Sequence, residues 1–226
     1  MYESELGNGG TARPVWISQS WLRAESLAAL AEVNEQCLEL LCEQASAGGA
    51  RQRSVLAGEL EPLFRGLDAA ARRRAASCPF LLLDAGFSAG ARRIWPAARC
   101  VRDRDWAGEP APFFTVARTV PVTRLVLAYA WHLVRSEGAA ARLFLGMSPA
   151  CAGRLAVCTL RQVIQLAESD PGLLNPRWPH RRGVWRDLLA AAAAGDECGI
   201  EQFRMRGLAL LAADARAGEL ATDSSR

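Results

Sequence analysis

The chain has 226 residues, half of them apolar, an ordinary share of charged residues and a formal net charge of +3. That composition supports a packed globular core rather than a disordered chain. No apolar run reaches the length of a membrane span, and the opening MYESELGNGGTARP lacks the basic-then-apolar order of a leader, so the expectation is a cytoplasmic protein away from the membrane.

All 27 basic residues are arginine. Their planar guanidinium forks bind phosphates and carboxylates in bidentate fashion. The charge is unevenly spread: residues 1–117 carry 13 Arg against 14 acids, 118–186 carry 10 Arg against 3 acids (+7), and 187–226 carry 4 Arg against 7 acids. The basic excess points to an anionic partner for the middle segment. The seven cysteines form no Cys-x-x-Cys pair, so thiols packed as small hydrophobes are expected.

In chain order, residues 1–17 are polar and read as a loose N-terminus. A helical region follows over 18–95. Ser18 to Ala45 is the clearest amphipathic pattern, with Leu27, Leu30, Cys37, Leu38 and Leu41 on one face and Glu32, Glu35, Glu39 and Glu43 on the other. Such a helix packs on its own domain or, alternatively, pairs with another copy. Ser46 to Gln52 breaks the pattern, and Ser54 to Leu67 resumes it. Asp68 is placed to cap a helix over Ala69 to Ala76. Arg72, Arg73 and Arg74 on that helix read as a solvated face, with phosphate contact as the alternative. Phe80 to Leu83 is too short to classify by periodicity, and its helical flanks assign it to buried helix.

Residues 96–121 contain Pro96, Gly108, Pro110, Pro112 and Pro121 and read as a linker or surface loop. Trp106, Phe113 and Phe114 anchor it against neighbouring structure. The domain expected next spans 122–213. Its first helix, Val122 to Ser136, is apolar nearly all round, the mark of a central helix, and His132 within it reads as a core histidine.

Three short helices are expected between Ala139 and Ser169. Gly146 closes the first, since glycine adopts the left-handed conformation cheaply. Ser148 caps the second with Pro149 at its first position. Thr159 caps the third, on which Leu160, Val163, Ile164 and Ala167 form the inward stripe while Arg161, Gln162, Gln165 and Glu168 face outward. This unit suits either a compact DNA-binding element or the corner of a helical domain.

Prolines 171, 176 and 179 then force a turn-rich path through Arg177, Trp178, Arg181, Arg182, Trp185 and Arg186. Arginines interleaved with tryptophans suit a phosphate backbone with stacking, an acidic protein partner, or tryptophans that plug the core beneath a basic rim. Helices over Trp185 to Ala194 and Ile200 to Ala213 precede a polar tail, 214–226.

The three-helix stretch resembles the core of the flagellar transcriptional activator FlhD. The matching residues are Leu145 and Gly146, Leu155 and Ala156, Thr159, Leu160 and Gln162, and Leu166, Ala167 and Glu168. The likeness extends more weakly into Leu125 to Arg142 and covers about a third of the chain. It implies an all-α, multi-helical protein with an FlhD-like core and an N-terminal helical extension. It also implies a homo-oligomeric regulator that works with an FlhC-like subunit to support promoter duplex DNA binding. The zinc of that system resides in FlhC, so no metal or cofactor is expected here. The residues nominated for DNA or partner contact are Arg161, Gln162, Gln165, Arg177, Trp178, Arg181, Arg182, Trp185 and Arg186. The rival expectation is a helical adaptor or oligomerisation protein without DNA contact.

No catalytic constellation is visible. The two histidines lie far apart, there is no paired-cysteine or H-E-x-x-H zinc pattern, and neither a P-loop nor a G-x-S-x-G elbow occurs. A non-enzyme is therefore expected.

Overall fold

The computed structural model describes residues 24–47, 55–87, 112–170 and 172–223. Over these residues the protein is all-α, in the order α1 (Ala24–Ser46), α2 (Val55–Arg65), α3 (Ala69–Ala76), β1 (Leu83–Asp84), α4 (Thr119–Ser136), α5 (Gly138–Phe144), α6 (Pro149–Val157), α7 (Leu160–Ser169), β2 (Asn175–Pro176), α8 (Arg182–Ala194) and α9 (Glu197–Asp223). Helix α1 packs on α2, α3 and α4; α4 carries α5, α6 and α7; and α8 packs on α2, α3 and α9. Buried side chains from Leu30 to Leu211 form one continuous core, to which the 18–95 and 122–213 regions both contribute. Among the described residues, no helix is long and apolar enough to cross a membrane.

Several helix ends form where local chemistry places them. The Asp68 carboxylate accepts from the Ala71 N–H at 2.7 Å, which holds its pKa below the usual carboxylate range. Gly146 follows α5 with φ +61°. Ser148 caps α6 through the Cys151 N–H. A capping box opens α7: the Gln162 N–H donates to Thr159 Oγ1, and the Thr159 N–H donates to Gln162 Oε1 at 2.8 Å. Pro121 sits inside the first turn of α4, where the missing N–H has no helical acceptor to lose.

Four expectations are corrected. Phe80–Leu83 is not helical: it bends at Phe80 and Leu82 and ends in the two-residue ladder of β1 with β2, where Leu83 pairs with Pro176 and Asp84 with Asn175. Periodicity had nothing to act on in so short a run, and the run is buried on every side. Leu160 is 45% exposed although it lies on the inward stripe. It is the first residue of α7, and helical side chains lean toward the N-terminus, so it overhangs the helix start. His132 is exposed on α4 rather than in the core. The tail expected from 214 continues α9 as helix to Asp223. The start of the first helix at Ser18, most of the 96–121 loop with Trp106, and Cys100 lie outside the described residues. Within that loop Phe114 is buried against Phe113, their rings 4.7 Å apart.

The non-helical segment Ser77–Phe87 is buried over most of its length, so its peptide groups need partners other than water. Asn34, fully buried on α1, supplies several: its Nδ2 donates to the carbonyls of Ala76, Cys78 and Phe80, and its Oδ1 accepts from the Leu82 N–H at 2.9 Å. The Leu81 N–H donates to Phe144 O, and Phe87 O accepts from the Ser148 N–H. Cys78 lies in the same segment, and burial pushes its thiol up to about 12.

Candidate functional site

The nine nominated residues fall into two groups. The inward group starts with Arg177, which is only 4% exposed. Its Nε donates to Leu81 O at 2.8 Å, one terminal nitrogen donates to Leu145 O at 2.7 Å, and its backbone N–H donates to Leu82 O. Burial pulls its pKa down, while the carboxylates of Asp84 and Asp214 push it back up. Trp185, 2% exposed, tilts against Phe64 and donates its indole N–H to the Arg177 carbonyl at 2.7 Å. Trp178 is half-buried, edge-on to Phe80, with its indole N–H on Asp214 at 3.0 Å and its backbone at φ 51°. Arg182 is ion-paired with Glu59 on α2.

Arg177 and Trp185 are therefore corrected as contact residues. Both are interior, and their polar hydrogens are spent on backbone carbonyls that would otherwise be orphaned. The pattern of arginine beside tryptophan could not separate these roles, because the acceptors that draw Arg177 inward, Leu81 O and Leu145 O, lie 96 and 32 residues upstream, and Trp185 in turn bonds the Arg177 carbonyl.

The outward group comprises Arg161, Gln162, Gln165, Arg181 and Arg186, all exposed. Gln162 is partly committed to the capping box. Glu168, on the same outer face of α7, is ion-paired with Arg124 of α4. Arg161, Arg181 and Arg186 have no carboxylate partner among the described residues. Beside Arg161 lie two exposed apolar side chains, Leu160 and the 83% exposed Val157.

A second feature was not singled out by the sequence reading. Helices α1 and α4 flank an open groove of about 520 Å³. One wall presents the set Ala29, Glu32, Val33 and Gln36, with Glu35 beside it, and the other presents the set Leu125, Ala128, Tyr129 and His132. Each set has the i, i+3, i+4, i+7 spacing of a single helix face. The two helices are tied at one end by the Tyr129 hydroxyl, which donates to Ser26 O at 3.0 Å. At the other end Arg118 reaches Gln36 at 2.7 Å and Glu39 at 2.8 Å. Burial, with Glu137 adding to the effect, raises the Tyr129 pKa, so that hydroxyl keeps its proton at neutral pH. The available signal was the apolar character of α4, on which Leu125 stays 40% exposed.

Among the described residues, no group of three or more His, Cys, Asp or Glu side chains is placed to hold a metal ion. No protein-family model, curated protein or solved structure matches the chain.

Proposed function

We propose that the protein is a bacterial transcriptional regulator of the FlhD-like kind, a helical oligomer that works with an FlhC-like subunit to support promoter DNA binding. The observation that carries this reading is the exposure of Arg161, Arg181 and Arg186, without carboxylate partners among the described residues, in the segment that holds an excess of seven positive charges. Arg161 stands on a capped helix whose Thr-Leu-x-Gln opening is the FlhD-like feature, and a rigid helix fixes its position better than a loop does.

Arginines that reach phosphates release counterions, so binding to duplex DNA should weaken linearly in log affinity against log salt, with a slope of roughly 0.9 per phosphate. The test is a salt series on promoter duplex, with the protein alone and with an FlhC-like subunit added. Binding that weakens with salt, with a shallower slope in Arg161→Ala and Arg186→Ala, supports the reading. No binding at low salt under either condition overturns it.

The second reading is a helical adaptor that never touches DNA. It is favoured by the burial of Arg177 and Trp185, which removes two of the nominated contacts from the surface, and by the surface ion pair that engages Arg182 with Glu59. The same salt series separates the two.

A further inference from the structure

We infer that the groove between α1 and α4 is a docking site for a cationic amphipathic helix of a partner protein. This holds whether or not the chain contacts DNA, since none of the groove residues belongs to the basic surface.

The groove has the shape of a helix seat. Both walls are single helix faces running about two turns, or roughly 10 Å at 1.5 Å per residue. Two helix ridges side by side form the seat into which a third helix packs. Ala29 and Ala128 are small lining side chains that let a backbone approach, while Leu125, 40% exposed, offers apolar contact. Helix-in-groove recognition reads such anchors at i, i+3, i+4 and i+7. Helix α4 buries Val122, Val126, Leu127, Ala130 and Leu133, and its exposed side keeps Leu125 at 40% exposure in the groove, while the neighbouring Arg124 and Arg135 are engaged by Glu168 and the Trp131 ring.

Charge selects the occupant. Helix α1 carries five glutamates and no basic residue. Arg118 lies near Glu39 and Glu43, at 2.8 and 3.9 Å. Glu32 and Glu35, on the groove wall, have no cationic partner among the described residues. An occupant with apolar residues on one side and arginines or lysines flanking them would bury Leu125 and meet both carboxylates. An acidic helix or a nucleic-acid backbone would be repelled.

The test uses the full chain and a fluorescent synthetic helix of about 14 residues, with leucines at i, i+3, i+4 and i+7 and arginines elsewhere. A counterpart with glutamate in place of arginine serves as the comparison, and anisotropy is the readout. The arginine peptide should bind, and the glutamate peptide should bind at least about 10-fold more weakly. Glu32→Gln and Glu35→Gln should each weaken binding about 4-fold, and Leu125→Ala about 10-fold. Glu25→Gln makes the same charge change on α1 outside the groove and should alter binding less than about 2-fold. All of these positions except half-buried Glu35 are exposed, so the variants should fold, which a thermal melt checks.

Equal binding of the two peptides would overturn the inference. So would an effect of Glu25→Gln as large as that of Glu32→Gln, because the attraction would then be generic. Sedimentation showing that Glu32→Gln and Leu125→Ala dissolve a self-association would also overturn it, by assigning the groove to a second copy of this chain.

Discussion

Helix α7 and the segment from Asn175 to Arg186 both display arginines beside apolar residues, yet the fold uses them in opposite ways. Arg161 projects from a helix whose own hydrogen bonds are complete, so its guanidinium has nothing inside to satisfy and stays in water. Arg177 lies beside the non-helical segment Ser77–Phe87 and is drawn inside to serve the Leu81 carbonyl there and the Leu145 carbonyl at the end of α5. An arginine goes inward where unpaired backbone oxygen waits for it. Its neighbours in sequence say little about that.

This contrast can be broken most sharply at Arg177. Replacing it with Met leaves the buried carbonyls of Leu81 and Leu145 unpartnered and should cost about 3 kcal/mol or more, read as a lower urea midpoint. Arg177→Lys should recover little, because an ammonium on a single stem cannot reproduce the planar fork. If Arg177→Met melts like the parent, the segment does not depend on it.

The next effect is steric and probes the opposite side of the same segment. A Cβ at Gly207 on α9 would come within 2.1 Å of the Phe80 ring, which is buried between Trp178 and Phe203. Gly207→Ala should therefore destabilise by about 1–3 kcal/mol despite its better helix propensity. A stabilised variant in denaturant titration would refute the close approach.

Thr159→Ala tests α7 itself. It removes half of the capping box and should cost about 1 kcal/mol, with amide exchange rising in the first turn of that helix. Unchanged exchange there would mean that tertiary packing alone sets the helix start. The smallest stability change is expected at the surface: Arg161→Ala should lie within about 0.5 kcal/mol of the parent, while lowering the salt slope of DNA binding by about 0.9 if it meets a phosphate. An Arg161→Ala variant with a marked loss of stability would place that guanidinium with Arg177 rather than opposite it.

The helix-rich architecture and many of its punctuation marks were legible in the sequence, because they depend on contacts within a few residues. The Asp68 cap, the Gly146 turn, the Ser148–Pro149 start and the Thr159–Gln162 box each need only one turn of chain to form. Leu160 shows the limit of that reasoning, since the stripe it belongs to is real but its place at the helix start leaves it half in water. His132 shows the same limit on α4, where an apolar pattern gave no sign that one face would be left uncovered.

What the sequence determined by itself was therefore the set of helices, several of their caps and the uneven distribution of charge. The tertiary structure alone decided which arginines point inward, that Phe80–Leu83 is not helical, and that the packed pair α1 and α4 leaves an open groove along its outer seam. The physical reason is range. Caps and turns are satisfied by neighbours in the chain, whereas a buried carbonyl at Leu81 is satisfied by whichever donor the packing brings to it, and here that donor is Arg177, 96 residues away.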